Sequence, residues 1–332
     1  MGTRLYCEEP GFEHSRAADA NQAEKGLTDM TIRFFRTVFA AVLFQGSMLL
    51  VAPGAALADD AITASVKTDP AIHALLPKAI QESGVIKLGT DAHWPPCESF
   101  AEDGVTMVGW EPDLWDAIGQ KLGVKVKPTS IDFDGLLPGL ESGRFDVALE
   151  CISDTLDREK KFMFVDISVA TDVVFALEGS SVSADPLSLC GLKAGVQKGT
   201  SFTMSIDNIL DPLCLKDGKP AIVKSMFPSI DAVTLALASG RVDFMSNDAS
   251  AAADMKKKVA SSKMYVIDVL PKNFQGFVLL PESKELAAAL LAATKALIAD
   301  GIYDRILDKW DLDAVKLKEP GINLTSTGAK PK

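Results

Sequence analysis

The chain of 332 residues has room for two domains, and its 47% hydrophobic content can fill real cores. A formal net charge of −11 excludes the clustered Lys and Arg that a phosphate-backbone partner requires, so nucleic acid is not an expected partner. No close Cys or His pair accompanies the cysteines, which disfavours a zinc site, and no metal or cofactor is expected.

From Met30 a short basic segment, Arg33 to Arg36, precedes an apolar run from Thr37 to Val51 that is interrupted by Gln45, Gly46 and Ser47. Ala56-Leu57-Ala58 then stands ahead of Asp59-Asp60. Basic head, apolar middle and small residues at −3 and −1 are the parts of a secretory signal peptide over 30–58, with a mature start at about Asp59. The run is short and broken for a ~20-residue bilayer span, which favours cleavage over anchoring. Residues 1–29 are a polar, mixed extension that no signal peptide needs, and Met30 is the alternative start. The mature product is expected to be soluble outside the cytoplasm, and no Cys at the cleavage site calls for a lipid anchor.

Residues 59–69 read as a loose lead-in, followed by a helix over Pro70 to Ser83 with Gly84 as its stop. Val85–Thr90 is a first strand, and its loop, Asp91 to Cys97, holds an acid and Trp94 in a turn stiffened by two prolines. A hairpin around Asp103-Gly104 leads to a helix from about Pro112 to Leu122, a strand from Val124 to Pro128, and a helix opened by Phe133-Asp134. Strand, helix, strand, helix, strand predicts a parallel α/β lobe.

The third strand, Val147 to Leu149, runs into a polar loop carrying Glu150, Cys151, Ser153 and Arg158. Ligands of open α/β sheets sit beyond the carboxyl ends of strands, so this loop is a candidate site. Its approach, Leu140-Glu141-Ser142-Gly143-Arg144-Phe145-Asp146, has a near copy in Leu237-Ala238-Ser239-Gly240-Arg241-Val242-Asp243. Each copy follows an apolar helical run and ends in a strand, the second at Ser246-Asn247-Asp248. Two such units suggest two lobes facing across a cleft, one offering Arg158 and the other Asp248.

Val173–Leu177 reads as a first crossing between lobes, and Phe274–Leu280 as the return. Between them a strand at Leu192–Val196 turns through Gly199, Thr200 and Ser201 into a helix from Phe202 to about Leu210, where free N–H groups and hydroxyls suit an anion. The expected division is 59–177 for the first part of lobe 1, 178–273 for lobe 2, 274–317 for the return to lobe 1 and 318–332 for a flexible tail. Helices from Glu285 to Asp300 and from Gly301 to Trp310 precede that tail.

Outside the leader the cysteines are Cys97, Cys151, Cys190 and Cys214, which allow three pairings in an oxidising compartment. Cys190 with Cys214 is the local choice, leaving Cys97 with Cys151. A right-handed lobe with its first strand between the other two places the loops of Cys97 and Cys151 side by side. Free buried thiols are the alternative.

Ile86-Lys87-Leu88-Gly89-Thr90-Asp91, Trp94-Pro95-Pro96, Val108-Gly109-Trp110-Glu111-Pro112, Phe133-Asp134-Gly135-Leu136-Leu137-Pro138, Asp157-Arg158-Glu159-Lys160, Gly195-Val196-Gln197-Lys198-Gly199-Thr200 and the Asp300 to Trp310 segment together resemble the periplasmic polar amino-acid-binding proteins of ABC importers, a family-3 class of extracellular solute-binding proteins. The resemblance implies a type II two-lobed clamshell, each lobe a mostly parallel sheet flanked by helices with two hinge strands. It implies a periplasmic monomer that closes on one amino acid and presents it to an inner-membrane ABC permease. By position, Arg158 resembles the arginine that grips the α-carboxylate, aided by Ser153, Thr200 and Ser201, and Asp248 the acid that takes the α-ammonium. Trp94 and Phe133 match an aromatic pair around the ligand side chain, and Asp91 and Glu111 match acids near its far end.

Two departures stand together: the family usually has an aromatic at the position of Cys97 and small residues at those of Glu150 and Cys151. A disulfide accounts for both cysteines, and Glu150 adds a carboxylate that favours a basic or donor-rich ligand. The competing functions are a cyclohexadienyl or arogenate dehydratase-like enzyme, with Glu150 as general acid, and a ligand-sensing module for a receptor. No enzymatic turnover is expected.

Overall fold

The computed structural model describes residues 59–331, so the signal-peptide segment and the extension before it lie outside the described residues. Thirteen strands follow in chain order. They are β1 (Val85–Thr90), β2 (His93–Trp94), β3 (Glu98–Phe100), β4 (Met107–Val108), β5 (Lys125–Ser130), β6 (Val147–Ala148), β7 (Met163–Leu177), β8 (Lys193–Gln197), β9 (Val223–Phe227), β10 (Phe244–Asp248), β11 (Ser262–Val266), β12 (Lys272–Leu279) and β13 (Lys316–Ile322).

In the first lobe β1 runs parallel to β5 on one side and β6 on the other, and β12 adds antiparallel at Ala148. In the second lobe β8 runs parallel to β9 and β10. The fifteen-residue β7 belongs to both: residues 163–171 pair with β12, and residues 172–177 pair with β10 and β11. Two long strands therefore join two mostly parallel sheets.

The sequence repeat performs the same structural task in each lobe. Gly143 (φ 71°) and Gly240 (φ 68°) end their helices in the left-handed region that glycine enters without steric cost. Asp146 and Asp243 then accept hydrogen bonds at 2.7 Å from the amides of Lys87 and Lys193, at the start of the neighbouring strand. Each aspartate thereby fixes the register of the strand that carries its lobe's polar loop.

Both proposed cysteine pairs are disulfides. Cys190–Cys214 closes a local loop with Cα atoms 5.5 Å apart, a constraint that stabilises by about 3 kcal/mol. Cys97–Cys151, with Cα atoms 6.1 Å apart, ties the loop after β1 to the loop after β6, the strands that flank each other in the first sheet.

Several elements differ from the sequence reading. Asp59–Ala64 is helical where a loose lead-in was expected. The helix expected over 70–83 is two short ones, Pro70–His73 and Lys78–Ser83, because Pro77 cannot donate within a helix. The first crossing begins at Met163 rather than Val173.

The tail expected to be flexible beyond 317 is also ordered. It forms β13 against β7, and Leu324 and Thr325 donate to the buried carboxylates of Asp166 (2.8 Å) and Asp154 (3.1 Å). Polar groups left buried at the hinge need donors, and the tail supplies them. Among the described residues no single helix is long and apolar enough to cross a membrane.

Candidate functional site

The carboxyl ends of β1 and β6 in one lobe, and of β8 and β10 in the other, open on a common cleft. From the first lobe its wall takes Trp94, Phe133, Glu150, Cys151, Ser153 and Arg158. From the second it takes Thr200, Ser201, Phe202 and Asp248. Of the residues expected here, Asp91 and Glu111 stand outside this wall. The Asp91 carboxylate bonds His93 Nδ1 (2.7 Å) and accepts from Gln197 Nε2 (3.1 Å). Glu111 lies behind the cleft and accepts from the Cys151 amide at 2.9 Å.

Trp94 is the aromatic centre. Its ring lies 6.2 Å from that of Phe133 and is stacked at 6.2 Å, with a 15° interplanar angle, on Phe202 of the opposite lobe. Phe202 escaped the sequence reading as a site residue. Its signal was its place directly after Gly199-Thr200-Ser201, at a helix start that faces the cleft.

Arg158 sits in the short helix Leu156–Glu159 capped by Thr155, whose hydroxyl accepts from the Arg158 amide at 3.2 Å. The guanidinium donates from Nη1 to the Ser153 carbonyl (2.6 Å) and from Nη2 to the Gly199 carbonyl (3.0 Å), and sits 5.9 Å over the Phe133 ring. Desolvation lowers its pKa to about 10, with Glu150 and Asp154 opposing that shift, so it stays charged at neutral pH.

Asp248 ends β10 and is 3% exposed. Its Oδ2 accepts from Gln275 Nε2 at 3.2 Å, while Oδ1 has no partner. Burial, reinforced by the charge of Asp172, pushes its pKa up to about 8, so a cationic partner would bring it back to the ionised form.

Gln275 was also missed. It lies on β12, donates to the Cys151 carbonyl (2.8 Å) as well as to Asp248, and so joins the polar loops of the two lobes. A glutamine inside the apolar return strand was the available signal. Further contacts across the cleft are Ser201 Oγ to Ser153 Oγ (3.2 Å) and Lys198 to Asp134 (2.8 Å).

Glu150 differs from all of these groups. It is 1% exposed, lines the cleft, and neither of its carboxylate oxygens has a hydrogen-bond partner. Burial holds its carboxyl well above the usual range, the charges of Asp91, Glu111 and Asp248 raise it further, and Arg158 pulls the other way. Behind it Glu98, whose Oε1 accepts from Thr90 Oγ1 at 2.8 Å, and Glu111 form a buried acid pair. Burial lifts Glu111 to about 7.

Residues 86–226 match the model of the bacterial extracellular solute-binding proteins, family 3. The arginine-binding protein ArgT of Corynebacterium glutamicum is 28% identical over 254 residues, covering 76% of this chain and 83% of that protein. An ancestral arginine-binding protein bound to arginine superposes with a TM-score of 0.60 and 30% identity, covering 68% of this chain and 98% of its own. The ancestral amino acid-binding protein AncCDT-1, a precursor of cyclohexadienyl dehydratase, gives a TM-score of 0.59 and 26% identity, covering 70% and 97%.

Proposed function

Since the chain belongs to the family-3 extracellular solute-binding proteins of polar amino-acid importers, we propose that it captures a free amino acid, polar or basic by preference, between its lobes and delivers it to an ABC importer. The observation that carries this reading is the placement of Arg158 and Asp248 on opposite walls of one desolvated cleft. A guanidinium fork matches a carboxylate, and a buried carboxylate with one free oxygen matches an ammonium.

In this reading Ser153, Thr200 and Ser201 assist at the α-carboxylate, and Trp94 and Phe133, joined by Phe202, enclose the side chain. Asp91 holds the cleft closed through Gln197, and Glu111 holds the Cys151 amide in place. Residues 59–177 with 274–317 form one lobe and residues 178–273 the other. The protein acts as a periplasmic monomer after removal of its leader at about Asp59, with the inner-membrane permease as its partner. Docking on a receptor would use the same closed form, and permease and ATPase genes beside its own would support import.

A dehydratase reading has one observation in its favour, the buried and proton-retaining Glu150 in the cleft. The test addresses both. Protein starting at Asp59 is screened by thermal shift against the twenty amino acids, ornithine, citrulline and simple amines, then incubated with prephenate and arogenate. A ligand held only by the folded, closed form raises the melting temperature, by the equivalent of about 2.7 kcal/mol at a hundred times its Kd. The expected result is a strong shift with one or a few amino acids and no turnover. A flat screen, or turnover that disappears in Glu150→Gln, would remove the transport reading.

A further inference from the structure

The α-carboxylate and α-ammonium of an amino acid leave Glu150 unanswered. The groups that face it come from every element around the cleft: Asp91 after β1, Glu111 on the helix Trp110–Leu122, Asp248 on β10 and Arg158 on the helix Leu156–Glu159, with Glu98 of β3 behind Glu111. Arg158 is the cation among them, and its terminal nitrogens are directed at the Ser153 and Gly199 carbonyls. Asp91 is answered by His93 and Gln197, and Glu111 by the Cys151 amide. Glu150 is the acid of the cleft wall with both oxygens unpartnered, and the adjoining backbone is fixed by the bonds of Cys151 to Glu111 and Gln275.

We propose that Glu150 determines specificity by taking a second, side-chain cation of the ligand, and that it exchanges its own proton for that cation. The proposal rests on the amino-acid-binding reading and narrows it to α-amino acids with a guanidinium or ammonium side chain. The step balances: a protonated Glu150 carboxyl and a cationic side chain give a carboxylate–cation pair, and one proton leaves to solvent. Burial with uncompensated acids keeps the carboxyl protonated until a cation arrives, which is why the free group tolerates its site. Lowering the pH therefore opposes binding of a cationic ligand more than of a neutral one, because the α-ammonium of either displaces the proton of Asp248 but only the former must also displace that of Glu150.

Arginine and citrulline, nearly isosteric but differing in charge, are the probes. Titration calorimetry in buffers of different ionisation enthalpy, at about pH 8 and about pH 5.5, reads both affinity and proton release. The native protein is expected to prefer arginine by at least about 30-fold at the higher pH, to lose part of that preference at the lower, and to release more protons on binding arginine than on binding citrulline, the excess being that of Glu150. In Glu150→Gln, which keeps the side-chain volume, the arginine-to-citrulline ratio collapses towards one and the extra proton release with arginine over citrulline vanishes. An unchanged ratio in the variant, or equal proton release with arginine and citrulline in the native protein, overturns the proposal. Binding of another, neutral amino acid but not of arginine or lysine also overturns it while leaving the amino-acid reading standing. Binding of none removes that reading too.

Discussion

Replacing Arg158 by alanine is expected to weaken amino-acid binding by at least about 30-fold, since truncating one partner of a buried charge pair costs about 2–5 kcal/mol. Without the guanidinium, a ligand carboxylate would enter a cleft whose wall holds two carboxyl groups, Glu150 and Asp248, and no other cation among its lining residues. Arg158→Lys is expected to recover only part of the loss. An ammonium is a point charge that cannot hold the Ser153 and Gly199 carbonyls and also present a fork to the ligand. Stability should change little, because Arg158 is half-buried on a short helix outside the apolar core. Titration calorimetry on both variants, with urea unfolding as the control, checks this. Native affinity in the alanine variant would remove the carboxylate-clamp assignment.

The second large effect is expected at Gly276. A Cβ there would lie 2.0 Å from the Val165 carbonyl oxygen and 2.8 Å from the Asp166 Cα, both backbone atoms of β7 that cannot rotate away. Gly276→Ala must therefore separate β12 from β7 where their register already shifts, between Gln275 and Gly276. The loss of stability should reach about 3 kcal/mol, the upper end of what overpacking usually costs. The same separation would move Gln275, so ligand affinity should fall as well. A urea midpoint equal to the native one would show that β7 yields at the hinge.

Much of this was legible because local rules and topology agreed. The Gly–Arg–Phe/Val–Asp copies announced two similar lobes, and each Asp proved to be the group that fixes strand register. The order strand–helix–strand–helix–strand was enough to place Cys97 beside Cys151. What escaped had physical causes. The first half of β7 carries Asp166 and Ser168, and Thr171-Asp172 follow at the crossing, so its apolar pattern breaks where the strand passes through the hinge, and its true start was hidden.

The tail looked loose because its partners, the carboxylates of Asp154 and Asp166, are more than 150 positions away. Asp91 and Glu111 sit at the right strand and helix ends, yet proximity in sequence does not fix direction. Both turn to protein donors, whereas Glu150 finds none.

The stacking of Trp94 on Phe202 has an optical consequence. Trp110 and Trp115 are buried within the first lobe, and the Trp310 indole is held to Asp113 by a 2.7 Å hydrogen bond, so these three chromophores keep their surroundings as the lobes part. Trp94 alone among the described tryptophans has a ring from the opposite lobe against its face. Separation would expose its indole to water and shift its emission to longer wavelength, with the other three as a constant background. The protein thus carries an intrinsic fluorescence reporter of its own closure, whose ligand-dependent signal should be lost in Trp94→Phe in a simple emission titration.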